Sequence, residues 1–134
     1  MAQIQGSSSA TGGRIDGSLQ MTAPAAADFA LGAGWGTTAT VAVRAGSTDQ
    51  RGVITITSSG TGQAQATATV TFTFKDGTFA AIPPGFAAVL INSSNAITET
   101  GATATACTAT ALSWTHSVLP VATKTYSYAY FVIA

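Results

Sequence analysis

The sequence predicts an all-β fold: an antiparallel β-sandwich of jelly-roll-like type, preceded by an extended N-terminal arm. From Gly34 onward, apolar residues recur at every second position, as they do in strands that bury one face. Short turns rich in Gly, Ser, Asn and Asp separate these segments at the intervals typical of sandwiches and small barrels. No segment after Gly34 shows the period of a helix. The 134 residues suit one compact domain, predicted at 34–134, behind an arm at 1–33.

The arm is predicted from its composition and from the irregular spacing of its apolar residues. Residues 6–13 are uncharged and rich in Ser and Gly, as flexible segments are. Pro24 favours a helical turn over residues 25–27. Such an arm cannot build a core, so we expect it either to drape over another subunit or to be a frayed terminus. The predicted contact residues of the arm are Ile4, Arg14, Ile15, Leu19, Met21, Phe29 and Leu31.

The strands of the sandwich are predicted from alternation and from apolar runs. Alternating segments lie at residues 38–43, 52–57 and 66–74, and in the last of these Thr occupies one face. More continuously apolar segments, at 86–91 and 126–133, are expected to be central strands. Further candidates are residues 111–115 and the Ala- and Thr-rich residues 100–110. Asp76-Gly77 is predicted to be a tight hairpin turn.

Charge and hydropathy favour assembly with other proteins. Charged residues make up only 7% of the chain and the formal net charge is zero, so little repulsion opposes association. The five cations are scattered along the sequence, whereas nucleic-acid binding draws on clustered cations. No signal peptide and no apolar run of bilayer length is recognisable. We therefore expect no nucleic-acid partner and no membrane partner, and assembly in the cytoplasm of a host.

The residues that carry chemistry are few and isolated. His116 is the only histidine and lies at a predicted strand end, where a surface or hydrogen-bonded role is expected. Cys107 is the only cysteine, and no neighbouring cation would lower its pKa. Asp49 is expected to bond the backbone of its own turn. Metal sites need several closely spaced ligands, which the chain lacks. The sequence thus predicts no enzyme, no catalytic residue, no cofactor and no metal site.

A ladder of tyrosines in the last strand leaves two interpretations open. Tyr126, Tyr128 and Tyr130 share one face, and Phe131 and Ile133 share the other. The tyrosines either form a self-association surface, since Tyr combines contact area with a polar tip, or line the inner wall of the sandwich.

The order of several short motifs carries a family resemblance. They are Gly-Trp-Gly at 34–36, Ser-Thr-Asp at 47–49, Gly-Thr-Gly at 60–62, Pro-Pro at 83–84 and the closing aromatic strand at 126–133. In this order they resemble a β-sandwich module of tailed-bacteriophage virion proteins, which occurs in capsid decoration (cement) proteins and in tail-fibre domains. The resemblance implies a sandwich fold and a virion role, and it supplies no catalytic residues. This chain has only a short arm where fibres have a long shaft.

The function implied by the resemblance is that of a capsid decoration protein. It would lie on the capsid exterior of the virion and bind the outer surface of the major capsid protein through its arm. The alternatives are a short tail or head fibre, or receptor-binding module, and a carbohydrate-binding β-sandwich domain. Because the resembled modules often occur as trimers, we expect a homotrimer, with a dimer as the alternative.

Overall fold

The segments in which apolar residues alternate form paired strands in the structure. The computed structural model describes residues 21–94 and 104–133. Within them, two short 3-10 turns, Ala26–Asp28 and Gln65–Thr67, precede the first and fourth strands. The strands are β1 Phe29–Leu31, β2 Thr40–Val43, β3 Arg51–Thr57, β4 Thr69–Thr73, β5 Gly85–Ser93, β6 Ala104–Cys107, β7 Ala111–Thr115 and β8 Thr125–Ile133.

The strands form two four-stranded antiparallel sheets, which confirms the predicted all-β sandwich. Sheet I has the order β1-β4-β7-β6 and sheet II the order β2-β3-β8-β5. Only β2-β3 and β6-β7 are consecutive neighbours in a sheet, so most connections cross between the sheets. The prediction of a hairpin at Asp76-Gly77 is wrong for this reason, since β4 belongs to sheet I and β5 to sheet II.

The core lies between the sheets and receives one side of each alternating strand. In β4, Val70 and Phe72 are fully buried, while Thr69 and Thr71 on the opposite side are half-buried. The alternation of Thr with Val and Phe therefore distinguishes the inner from the outer face, as predicted. The core is unusually aromatic: its buried rings are Phe29, Trp35, Phe72, Phe74, Trp114, Tyr126, Tyr128 and Tyr130.

The sandwich begins before residue 34, which corrects the predicted boundary of the arm. β1 pairs with β4 along one edge of sheet I, and the Phe29 ring stacks on Phe72 with 4.4 Å between ring centroids. Leu31 packs against the same core. Phe29 and Leu31 are thus core residues and not arm contacts. A three-residue strand is too short to display a period, so the sequence pattern missed it.

The other predicted arm contacts divide into two groups. Ile4, Arg14, Ile15 and Leu19 lie outside the described residues, and Met21 is half-buried. The turn expected after Pro24 is confirmed as the 3-10 turn Ala26–Asp28.

Trp35 in the Gly-Trp-Gly motif joins the two sheets from inside the core. Its side chain is fully buried, and its indole N–H donates to the Thr69 carbonyl at 3.0 Å. Gly34 allows this close approach, because a Cβ at this position would lie 2.1 Å from the Ala64 carbonyl oxygen. The motif therefore has a packing role.

Candidate interaction surface

The tyrosine ladder of β8 forms the inner wall of the sandwich. Tyr126, Tyr128 and Tyr130 are 0%, 0% and 2% exposed. Their hydroxyls bond, in that order, the Val121 backbone N–H at 2.7 Å, Nδ1 of His116, and the Thr48 carbonyl at 2.6 Å. Of the two interpretations, the inner wall is therefore the one observed. The assignment of these tyrosines to a self-association surface is corrected, because buried side chains cannot meet a partner.

His116 and Cys107 have surroundings that are typical of structural residues. His116 is buried against the rings of Trp35 and Tyr126, with ring centroids 5.1 and 4.7 Å away. Burial lowers the pKa of His116 to about 4, so its imidazole is neutral near pH 7. Burial also raises the pKa of Cys107, whose thiol donates to the Thr108 carbonyl at 3.3 Å.

Within residues 21–94 and 104–133, no three His, Cys, Asp or Glu side chains lie together as potential metal ligands. In the same residues, no helix has the length and apolar character needed to cross a bilayer.

Asp49 anchors the β2-β3 loop to the opposite sheet. Its buried carboxylate accepts the backbone N–H of Lys75 at 2.8 Å and that of Asp76 at 2.7 Å. The expectation that Asp49 bonds its own turn is wrong, because Thr48 Oγ1 takes that role and accepts the Arg51 backbone N–H at 3.3 Å. The carboxylate instead ties the loop to the segment that follows β4.

The outer side of sheet II carries large apolar side chains. The register places Phe131 beside Ala87, and Ala129 between Val53 and Val89. Ile133, Phe131 and Val89 are 60%, 43% and 40% exposed, which is high for such residues. We call this surface the apolar face, defined by Val53, Ala87, Val89, Ala129, Phe131 and Ile133.

Two arginines flank the apolar face at one end. The Arg44 backbone N–H donates to the Val53 carbonyl at 2.9 Å, so Arg44 extends β2 opposite Val53. Arg51 lies two residues before Val53 on the same side of β3, which makes the arginines diagonal cross-strand neighbours. Both are exposed, and within the described part of the chain neither has an ion-pair partner. The hairpin thus brings together two cations that are separated in the sequence.

The carboxylates of the described residues are engaged elsewhere. Asp49 is buried in its backbone bonds, and Asp28 pairs with Lys75 at 3.5 Å. Asp76 accepts the Thr22 backbone N–H at 3.1 Å. None of these three acids belongs to the outer side of sheet II, so the described residues leave the two arginines there without a counter-charge.

Two shallow grooves meet at Arg51. One, of about 450 Å³, is lined by Gln50, Arg51, Phe131, Val132 and Ile133. The other, of about 350 Å³, lies between the arginines and includes Ser47, Val53 and Tyr130.

Gly52 shapes the second groove. A Cβ at Gly52 would lie 2.5 Å from the Tyr130 hydroxyl and 2.6 Å from Cβ of Ser47. The missing side chain leaves room for Tyr130 to reach the Thr48 carbonyl. Burial and the charge of Asp49 raise the pKa of Tyr130, against an opposing hydrogen bond with Ser47. The floor of this groove is therefore a neutral phenol.

The outer side of sheet I has a different chemistry. Its outward positions are mostly hydroxyl-bearing, and none of the large exposed apolar residues lies on its strands. The hydroxyl-bearing outward residues are Thr69, Thr71 and Thr73 of β4 and Ser113 and Thr115 of β7. A groove of about 350 Å³ on this side is lined largely by these residues.

Comparison of the chain with models of known families, with curated proteins and with solved structures gives no match. The likeness to phage virion modules therefore stays a prediction from the motifs. The sequence did contain signals for the surface seen here. Alternation already placed Phe131 and Ile133 together, opposite the tyrosines. Pairing the predicted strands 38–43 and 52–57 across their turn would have brought Arg44 close to Arg51.

Proposed function

We propose that the protein is a non-enzymatic structural component of a phage virion, a decoration protein that binds the outer surface of the major capsid protein. The observation that carries this proposal is the apolar face, where Phe131, Ile133 and Val89 stand in water on a small domain. Exposed apolar patches on folded domains mark sites of protein association. The virion setting is supported by the order of the motifs between Gly34 and the closing strand.

The distribution of reactive groups supports a structural role. His116 is neutral and enclosed by aromatic rings, and Asp49 has both carboxylate oxygens bonded to backbone. Both side chains are buried, and His116 also lines a groove of about 550 Å³ together with Gln65, Ala66, Thr115 and Ser117. A general base has to reach the proton that it removes, directly or through one water.

The proposal keeps only some of the predicted arm contacts. Ile4, Arg14, Ile15, Leu19 and Met21 stay as predicted contacts with the capsid. Phe29 and Leu31 leave that set because they complete the core.

The alternatives differ in their support. A short fibre or receptor-binding module would use the same exposed face, so it stays as the second candidate. Carbohydrate binding loses support, because both Trp and all three Tyr side chains of the chain are buried. Such domains commonly hold sugar rings on exposed aromatic side chains, which combine an apolar ring with a polar tip.

The copy number of the protein in particles tests the proposal. Particles of the phage that encodes the chain are purified, and the protein is quantified against the major capsid protein by gel densitometry. A copy number comparable with that of the capsid protein is expected for a decoration protein. A few copies per particle would favour the fibre alternative, and absence from the particles would overturn the virion assignment.

A further inference from the structure

We propose that the protein docks through the outer side of sheet II, onto an apolar protein surface that supplies carboxylates to Arg44 and Arg51. This inference rests on the proposed function only in taking the partner to be a protein of the same particle. It moves the main attachment surface from the N-terminal residues, where the sequence placed it, to the sandwich itself.

A sheet of this sandwich does not need apolar residues on its outer side. Sheet I is built from the same kind of strand, yet Thr69, Thr71 and Ser113 fill its equivalent outward positions. Thr is as well suited to a pleated strand as Val or Ile. The presence of Phe131 and Ile133 on sheet II therefore calls for an explanation outside the fold, and contact with a partner supplies one.

The charges of the surface indicate the chemistry of that partner. Like charges on neighbouring strands destabilise a sheet, yet Arg44 and Arg51 share one face with no carboxylate from the described residues between them. A guanidinium group matches a carboxylate through two parallel hydrogen bonds. When the adjoining apolar face is covered, water is excluded and this attraction strengthens. A partner with carboxylates beside apolar side chains satisfies both halves of the surface.

The positions of the two grooves show how the apolar part and the arginine part of the surface are arranged. Arg51 lines both of them, with Phe131 and Ile133 on one side and Arg44 on the other. A partner's apolar side chain would fill the larger groove, and its carboxylate would lie between the two arginines. The central position of Arg51 makes it the residue whose loss should weaken binding most among the charges.

A second copy of the chain does not fit this surface. Among residues 21–94 and 104–133, no carboxylate lies on the outer side of sheet II, and Asp28, Asp49 and Asp76 are all engaged within their own chain. Two copies placed face to face would bring four guanidinium groups together without a counter-charge from these residues, which is unfavourable. The geometry thus points to a different protein.

Binding to empty capsid shells tests the inference. The probe is a shell assembled from the major capsid protein of the same phage without this protein, and the dissociation constant is measured by co-sedimentation. We expect Phe131→Ser and Arg51→Gln each to weaken binding by about tenfold or more, and Arg51→Glu to weaken it further. Raising the salt concentration should weaken the wild type more than Arg51→Gln, because one charge contact is missing in the variant.

Matched controls separate the surface from general effects of substitution. Leu119→Ser removes an apolar side chain that is 53% exposed but lies in the connection before β8. Lys75→Gln removes an exposed cation on the segment after β4. Both variants should bind within about twofold of the wild type, since they lie outside the docking surface. Circular dichroism and thermal melting establish that all variants are folded.

The outcomes distinguish the inference from the function on which it rests. If the wild type binds shells and the sheet II variants bind equally well, the docking surface is wrong and the decoration role stands. If the wild type fails to bind shells, the proposed function fails, and the inference fails with it. A dimer in light scattering that Phe131→Ser abolishes would assign the surface to a second copy. Arginine-dependent binding to vesicles of phosphatidylcholine and phosphatidylglycerol would assign it to a membrane. Either result would overturn the proposal.

Discussion

The two sides of β8 reverse the usual distribution of polar and apolar aromatic residues. The inner side carries three tyrosines, which are buried and hydrogen-bonded, and the outer side carries Phe131 and Ile133, which have no polar atoms and stand in water. A tyrosine can be fully buried where the interior supplies a hydrogen-bond partner for its hydroxyl. Phe131 and Ile133 are 43% and 60% exposed, so a large part of their apolar surface is left in water in the isolated domain. The inner side therefore serves the fold, and we assign the outer side to binding.

The outer side of sheet I sharpens this comparison. Its outward positions carry mostly Thr and Ser hydroxyls, which hydrogen-bond water readily, and no large exposed apolar side chain lies on its strands. The fold therefore does not account for the difference between the two outer surfaces, and we attribute the difference to binding. The predictions below test whether the stability of the protein depends on the inner side alone.

The largest effect is expected from a charge placed on the inner side of β8. Tyr128→Asp would put a carboxylate beside the rings of Trp114 and Trp35, where the native side chain is fully buried. An uncompensated buried charge costs on the order of 3–5 kcal/mol, which is a large part of the stability of a small domain. We expect the variant to be unfolded, or to melt far below the wild type, in circular dichroism.

The matched substitution on the outer side is Phe131→Asp. Its side chain points to solvent, so we expect a change in the free energy of unfolding of no more than about 1 kcal/mol. If Phe131→Asp unfolds the protein and Tyr128→Asp does not, the assignment of the two sides is reversed.

The second effect concerns the loop that presents both arginines to the outer side. Asp49→Ala would leave the backbone N–H groups of Lys75 and Asp76 without their buried acceptor. We expect a loss of about 2–3 kcal/mol in the free energy of unfolding, measured by chemical denaturation. Asp76→Ala is the control, because Asp76 is exposed and its loss should cost less than about 1 kcal/mol. Equal effects of the two substitutions would remove the anchoring role of Asp49.

Much of the fold could be predicted because alternation is a local property. β7 was predicted at residues 111–115, where the structure has it, and β3 and β8 were predicted to within one residue. The Thr/Ala alternation of the predicted strand 66–74 begins with Ala66 and Thr67, which the structure places in the 3-10 turn Gln65–Thr67. There the close packing of Gly34 against the chain decides the conformation, and such a long-range contact leaves no mark on the local pattern.

The candidate surface could be predicted only in part. Alternation showed that either the tyrosines or Phe131 and Ile133 face inward, but both sets are apolar enough for a core. The choice depends on hydrogen-bond partners such as the Thr48 carbonyl and His116, which the chain brings from distant segments. The proximity of Arg44 and Arg51 is not visible in the linear sequence, because only the register of the β2-β3 hairpin brings the two residues together.

The third effect is a pH dependence that belongs to the inner side. The pKa of His116 is lowered to about 4 in the native protein by burial, against an ordinary value of 6.5. Between these values the unfolded chain binds a proton that the native protein does not bind, so the free energy of unfolding falls as the pH falls. The slope approaches at most about 1.4 kcal/mol per pH unit, is about half of that at pH 6.5, and becomes small about one pH unit higher.

The variant His116→Gln isolates this contribution from that of the carboxylates. Thermal melts of both proteins from pH 7.5 to pH 4.5 should diverge progressively as the pH falls through about 6.5, with the wild type losing stability faster. Parallel curves would show that the histidine is accessible to protons in the native state, and the inner side would then be less closed than the structure indicates.

The smallest effect is expected from exchanging polar and apolar residues on the outer side of sheet II. Thr55 and Val53 are outward neighbours on β3, and the Thr55 hydroxyl bonds that of Ser127 at 2.8 Å. Thr55→Val and Val53→Thr keep a β-branched side chain, and the freed hydroxyl of Ser127 can bond water. We expect each exchange to change the free energy of unfolding by no more than about 0.5 kcal/mol, because neither side chain supports the core. Binding to capsid shells should separate them: Val53→Thr, in the groove between the arginines, should weaken binding, and Thr55→Val should not. A loss of stability well above this limit in either variant would mean that the outer side helps to hold the sandwich together, and the comparison between the two sides of the sheet would fail.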